Sequence, residues 1–402
     1  MEINNQLDQY RSELEQELEN ILAYWGTKPV DNENGGFYGR IDLNGSVDPV
    51  ATKGSVLHAR ILWTFSAAWL HKKDPQLLFQ AHRVYQYILD YFIDQVNGGI
   101  YWSITYDGSP ADTKKQIYAI AFAIYGLSEY YRCTQNEEVR QLAIQLFTTI
   151  EEHAFDPVYG GYIEALTADW KPIDDLRLSD KDANEKKSMN THLHILEAYT
   201  NLYLIWPDEK VKKQLQLLIG YFTGLIFNPA THHLNLFFNE QWERRSDVIS
   251  YGHDIEACWL LADAVKIAGD EILQQKINAI SVSIAVAVKE GLDTDGGLFY
   301  EYFPAEKKLI REKHWWPQAE AMVGFFHVWQ LTSNEKYLKK SLQSWSFIKT
   351  KLLDQTGGEW YWGINANGHV MDKEDKAGFW KCPYHNSRAC LEIIKRINTI
   401  II

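Results

Sequence analysis

Cysteine is scarce in this chain, with four among 402 residues, at Cys133, Cys258, Cys382 and Cys390. They lie far apart except for one eight-residue gap that matches no zinc spacing, so reduced, mostly buried thiols are expected and a disulfide framework is not. Long hydrophobic runs are missing too. No stretch of 18 apolar residues occurs, which excludes a conventional membrane-spanning helix. The opening, MEINNQLDQYRSELEQELEN, has neither a basic n-region nor an apolar h-region and reads as an unprocessed cytoplasmic N-terminus. Positive charge is outnumbered, 40 Lys and Arg against 53 Asp and Glu, for a net charge of −13. The densest basic run, Lys181 to Lys187, is interrupted by acids, and the whole argues against a nucleic-acid footprint. GxxxxGK[ST], GxGxxG after a strand, GxSxG and HExxH are all absent, so no nucleotide cofactor, serine nucleophile or helical zinc motif is expected.

Aromatic residues, by contrast, are abundant: 15 Trp, 23 Tyr and 17 Phe. Aromatic rings fill large cores, and they also cover the flat C–H faces of sugars; composition alone favours the core. Placement has to decide, and placement is governed by a repeat. An Asp or Asn, a short gap, a small pair and an apolar, aromatic run recur as DNENGGFYGR from Asp31, DQVNGGIYWS from Asp94 and DPVYGGYIEA from Asp156. They return as DTDGGLFYEY from Asp293 and DQTGGEWYWG from Asp354, and NPATHHLNLFF from Asn228 stands where the missing copy belongs, with His232-His233 replacing Gly-Gly. Glycine pairs in such places suit tight turns with positive φ, followed by short strands.

Between the turns the period becomes helical. Val139, Leu142, Ala143, Leu146, Phe147 and Ile150 form one stripe of a helix with a wet side, and Asp74-Pro75 opens another with Leu77, Leu78, Val84, Ile88, Leu89 and Phe92. The alternate segments, such as ARILWTFSAAWL from Ala59 and YAIAFAIYGLSEYY from Tyr118, are apolar nearly all round and should be buried. Each unit is thus a turn with short strands, an inner helix and an outer helix. Inner helices are expected to begin near Ser55, Lys115, Met189, Gly252, Trp316 and His385, and the N-terminal helix supplies the sixth outer helix. The expected architecture is an all-α (α/α)6 barrel of six inner and six outer helices with short β-hairpins at one end, one domain over residues 1–402. An open superhelix is the competitor, and the complementary half-units at the two ends favour closure. All six turns precede inner helices, so unpaired N–H groups and positive dipole ends gather at one rim.

Polar residues gather there as well. Arg60 and Tyr118 open the first two inner helices; Asn190 and His194, four apart, share a face, as do His253 and Glu256. Trp315, Trp316 and Glu320 follow, then Trp380, His385 and Arg388. A single buried histidine is most often a satisfied core residue, but three converging on one rim suggest acid–base work. Glu256, one turn beyond His253, could orient that ring, or be an ordinary partner for a helix-start histidine. Arg60 could bind a sugar hydroxyl or hydrogen-bond to Glu256 or Glu320. Trp316 and Trp380 lie beside the candidates, outside the repeat pattern, where stacking on a sugar outweighs core filling. A metal held by His194, His253, Glu256 and His385 is geometrically possible, although the ligand spacing speaks against it, and none is expected.

GHDIEACWLL, KHWWPQAEA and WKCPYHNSR, with NTHLH upstream, resemble the N-acylglucosamine 2-epimerase superfamily over essentially the whole chain, most closely its cellobiose 2-epimerase branch. Gln318 and the Lys-Cys-Pro-Tyr before His385 look like that disaccharide branch. The resemblance implies cofactor-independent epimerisation at C2 of the reducing-end glucose of β-1,4-linked disaccharides such as cellobiose and lactose; a monomer is expected, although the sequence does not give the oligomeric state. It implies that His253 and His385 are the general acid/base pair on opposite faces of C2, that Glu256 supports His253, and that His194 assists ring opening. Arg60, Tyr118 and Asn190 would bind the reacting sugar, Trp316 and Trp380 would stack on sugar rings, and Glu320 would belong to the substrate-binding set. His232-His233 would affect a turn and leave the chemistry untouched. A mannose or N-acylhexosamine epimerase or an aldose–ketose isomerase is the sister reading. A glycoside hydrolase using Glu256, Glu320 or Asp254, or a non-catalytic sugar-binding protein, is the alternative from another class.

Overall fold

In the computed structural model, which describes residues 2–400, twelve α-helices alternate between an inner and an outer ring. The inner ring is α2 (Ser55–Lys72), α4 (Ile117–Thr134), α6 (Met189–Ile205), α8 (Tyr251–Ala268), α10 (Trp315–Thr332) and α12 (Tyr384–Asn398). The outer ring is α1 (Glu2–Trp25), α3 (Pro75–Tyr87), α5 (Glu137–His153), α7 (Glu209–Tyr221), α9 (Glu271–Ala287) and α11 (Glu335–Phe347). The fold is an (α/α)6 barrel, and α1 packs on α12 while α12 packs on α2, so the ring is closed. The ends of the chain supply the two halves of one helix pair, which is why closure buries apolar surface that an open superhelix would leave wet.

Inner and outer helices differ at their N-termini for a reason readable in the residues. Five outer helices start on an Asx cap, Asp74, Asn136, Asp208, Asp270 and Asn334, each accepting a backbone N–H of the first turn. Five of the six inner helices lack a side-chain cap; Ser188 before α6 is the exception. Four inner helices, α6 among them, give their first N–H to a carbonyl of the following repeat: Ser55 to Trp102, Ile117 to Glu164, Met189 to Leu236 and Trp315 to Trp362.

Short antiparallel strands make the same stitch. β1 (Lys53–Gly54) pairs with β2 (Ser103–Ile104), β4 (Lys115–Gln116) with β5 (Ala165–Leu166), and β6 (Lys187–Ser188) with β7 (Phe237–Phe238). β8 (Ile249–Ser250) pairs with β9 (Glu301–Phe303), and β11 (Lys313–His314) with β12 (Gly363–Ile364). Ile41 bridges Ala377 to complete the circle. β3 (Pro110–Asp112) and β10 (Lys308–Ile310) extend two of these pairs into hairpins.

The turns refine the repeat. In the first three copies both glycines have positive φ, for example +77° and +70° at Gly98 and Gly99. The fifth copy is one residue shorter, with positive φ at Gly296 alone, and in the last the left-handed pair is Gly358-Glu359, displaced by one from Gly357-Gly358. His232 takes the left-handed position in the fourth copy, with φ +62°. Lysines just ahead of the inner helices clamp these turns. Lys53, Lys115, Lys187, Lys313 and Lys376 pair with Asp31, Asp94, Asp156, Asp293 and Asp354, and the first two pairs are almost fully buried. A buried ammonium with a carboxylate partner satisfies both charges where water cannot.

Candidate active site

Because the inner helices are repeat-equivalent, the seventh residue after each lysine position points to the barrel axis. That register contributes Arg60, Phe122, His194, Glu256 and Glu320, and in α12 Arg388, seven residues after Lys381 rather than after the clamping Lys376. All are buried. Above them, at the N-terminal end of the inner helices, lies a cavity of about 430 Å³. Arg60, Tyr118, Asn190, His194, His253, Glu256, Trp316, Trp380 and His385 line it together. Nine of the ten residues to which the resemblance gives a role therefore share one cavity. Glu320 does not reach it.

His253 and His385 both border the Trp316 indole, with ring centroids 4.7 and 5.6 Å away. The Nδ1 of His385 is held at 2.7 Å by Glu320, a carboxylate, so Nδ1 is the donor and Nε2 carries the lone pair. The Nδ1 of His253 lies 2.8 Å from the Ser250 hydroxyl, which donates or accepts, so either tautomer is accommodated. Neither Nε2 has a protein partner among the described residues. Burial lowers the pKa of both imidazoles, and both are neutral near pH 7. His194 is oriented in the same way as His385, its Nδ1 2.9 Å from Glu197 and its ring edge-on to Tyr118.

These contacts correct two expectations and narrow a third that was open. Glu256 does not support His253: its Oε1 accepts from Arg388 at 2.5 Å and lies 4.0 Å from His385. Glu320 is not at the substrate surface; it stands behind His385, accepting from that ring, from Arg388 and from the Trp259 indole. Arg60 bonds neither glutamate but donates to the Tyr118 phenol at 2.7 Å, with its guanidinium over Phe122 and Tyr384. Gln318 also turns away from the cavity, its amide closing on the backbone of Leu298 and His314.

Beneath the histidines, Arg388 is enclosed by Glu197, Glu256 and Glu320. Burial pushes Glu256 up, and the Glu320 charge adds to that, while its Oε2 has no partner among the described residues. Burial would raise Glu197 as well, but Arg388, His194 and Tyr384 outweigh it and bring it down to about 2. The donors of His385, Glu256 and Glu320 come within 4.8 Å of one another, a spacing that a cation could bridge. The Arg388 guanidinium bonds both carboxylates there, so the set is already matched to a cation of the protein's own.

The pattern of the family described as N-acylglucosamine 2-epimerase matches residues 36–389. The chain belongs to the N-acylglucosamine 2-epimerase family. A cellobiose 2-epimerase from Bacteroides fragilis is 49% identical over 385 residues, covering 96% of this chain and 98% of that protein. The solved structure of a cellobiose 2-epimerase from Bacillus thermoamylovorans is 42% identical, with a TM-score of 0.92 over 97% of this chain and 100% of that one. A solved D-mannose isomerase, 23% identical with a TM-score of 0.84 over 96% and 98% of the two chains, shares the fold. The chain is a carbohydrate 2-epimerase of this family, similar to cellobiose 2-epimerase.

Seen as a family member, the chain carries site features its sequence did not announce. Glu197 sits three residues after His194, the spacing noted at His253 and Glu256, and that pattern could have found it. Tyr384, whose phenol donates to Glu197, was visible only as part of a motif. Tyr300, His314 and Trp362, which lie within the sequence motifs but were not singled out, and the 178–182 loop, which no local pattern marks, also line the cavity.

Proposed function

We propose that the chain epimerises the reducing-end glucose of β-1,4-linked disaccharides at C2, converting cellobiose to glucosyl-mannose and lactose to epilactose. The observation that carries this reading is the pair of neutral imidazoles, His253 and His385, in one cavity and against one indole, each anchored through Nδ1 with Nε2 free.

The C2 proton is acidic only when C1 is a carbonyl, so the sugar ring opens first, with His194 handling the proton at the O1/O5 end. One imidazole then takes the C2 proton and leaves a cis-enediol that is planar at C2. The other returns a proton to the opposite face, and the configuration inverts. Neutral imidazole suits both halves of the cycle. His385, with its tautomer held by Glu320, is a ready base. His253 can enter as acid or base because Ser250 serves either tautomer. Enediolate charge is met by Arg60 and by the uncapped N-termini of the inner helices. Tyr118 and Asn190 contact the reacting sugar, and the half-buried Trp316 and Trp380 offer faces for its rings.

Glycoside hydrolysis is less well served. It requires two carboxyls flanking the scissile bond, whereas Glu256 and Glu320 converge on Arg388 and Asp254 is held by His233. Incubation with cellobiose in D2O tests the proposal. The expected product is the mannose epimer with deuterium at C2. Product without label removes the proton-transfer mechanism, and release of free glucose favours hydrolysis. Relative rates on cellobiose, lactose, mannose and N-acetylmannosamine separate the disaccharide reading from its sister activities.

A further inference from the structure

Five of the six turns are clamped by a lysine–aspartate pair, and the fourth is not. Ile249 stands at the lysine position and Asn228 at the aspartate position. The charge is carried there by other residues. The buried His233 ring lies between two carboxylates, with Nδ1 2.6 Å from Asp254 and Nε2 3.0 Å from Glu290. With both carboxyls ionised each nitrogen faces an acceptor, and only the imidazolium can donate to both. Asp254 uses its other oxygen to accept the Leu234 N–H at 2.8 Å. At the equivalent place in other repeats, His58, His192 and Gln318 hold the backbone N–H groups of Phe37, Tyr162 and Leu298. Asp254 is the charged member of that set, and it directly follows His253 in the first turn of α8.

We propose that His233 is a positioning residue for the epimerisation proposed above, tying Asp254 to Glu290 and so fixing where the start of α8 presents His253. Here the clamp is a histidine where the other turns use lysine, a group whose ordinary pKa lies several units lower. The titratable groups facing it are Asp254 and Tyr251 of α8 and Glu290 of the turn after α9, with Tyr302 of β9 against Tyr251. Burial lowers the imidazole pKa, the two carboxylates outweigh it, and the net shift is upward. A pKa raised by folding means that the imidazole's share of the clamp is fully present below its unfolded value, as long as Asp254 and Glu290 stay ionised, and is lost as pH rises through the folded value. His253 then loses its placement, and displacements of about 1 Å at a reacting group can cost about 100-fold in rate.

Two measurements on the full chain test this. Side-chain ¹⁵N NMR, with His233 assigned by comparison to His233→Gln, reads its charge against pH. The pH profiles of kcat and KM on cellobiose read the consequence. His233→Gln is expected to lower kcat by roughly tenfold at pH 7, to leave KM within about twofold, and to remove the alkaline limb that depends on this group. Asp254→Asn, which keeps the side-chain shape, is expected to move the His233 titration and the alkaline limb together to lower pH by about one unit. A neutral His233 at pH 7, or variant profiles parallel to the wild type with only the Tm changed, overturns the proposal. Should the wild type leave cellobiose unchanged, it is the epimerase reading that fails. The NMR titration, followed against the pH dependence of Trp316 fluorescence beside His253, then still decides the clamp.

Discussion

Replacing Glu320 with glutamine keeps the side-chain shape and removes one charge behind His385. In the resting enzyme that ring is neutral, and Glu320 acts on it chiefly as a hydrogen-bond acceptor at 2.7 Å. Once His385 holds the C2 proton, the contact becomes an ion pair. At about 4 Å between charge centres and an effective dielectric of about 20, such a pair is worth about 4 kcal/mol. Arg388 already shares the carboxylate at 2.7 Å, which reduces the gain. Allowing roughly half for that sharing leaves about 2 kcal/mol, or about 30-fold in kcat. Glu320 does not line the cavity, so KM should stay within about twofold. Arg388 keeps Glu197 and Glu256, so the barrel should fold, and Tm verifies it. Initial rates on cellobiose and deuterium exchange at C2 are the assays. A kcat within about threefold of wild type, or a loss confined to KM, would refute the carboxylate–histidine reasoning.

His253→Ala and His385→Ala should each abolish turnover while calorimetry still detects cellobiose binding; turnover surviving either change would remove that imidazole from the chemistry. Trp380→Ala should raise KM by roughly tenfold, about 1.4 kcal/mol of lost ring stacking, with kcat little altered. Lys115→Met strands Asp94 in a buried site and should cost about 3–5 kcal/mol in urea unfolding at pH 7. Asp94 is buried, which raises its pKa, but Lys115 and the N–H groups of Val96 and Asn97 outweigh this and bring it below the ordinary carboxylate range. Its stabilising share is therefore present above the unfolded pKa and fades as pH falls, so wild type and Lys115→Met should converge in stability on acidification. A gap between them that holds constant down to about pH 2 would contradict the pairing.

Much of the architecture was legible because it is encoded locally. A helical period, a wet or dry circumference and a turn that needs left-handed backbone are properties of neighbouring residues, and six recurrences of one unit leave few ways to arrange it. The rim location followed as well, since every turn precedes an inner helix, and nine of the ten residues to which the resemblance gives a role do line one cavity. The displaced turn at Gly358-Glu359 shows the limit of counting glycine pairs. Hydrogen bonding from Asp354 to Glu359 sets that turn, and glycine occupies only one of its two left-handed positions.

What the chain could not disclose by itself is which partner each buried charge would choose. His194 and Glu197, and His253 and Glu256, have the same spacing on inner helices. Only the first pair bonds: Arg388, from α12 at the far end of the chain, reaches both glutamates, but Glu197 also keeps His194 while the His253 Nδ1 is engaged by Ser250. Glu320 is likewise drawn behind His385 by groups from α8 and α12, and His233 is recruited to Asp254 and Glu290 where a lysine clamp is missing. Helix geometry places a side chain on a face. The strongest unpaired charge that closure brings within reach then decides its contact, and that distance exists only once the ring has shut.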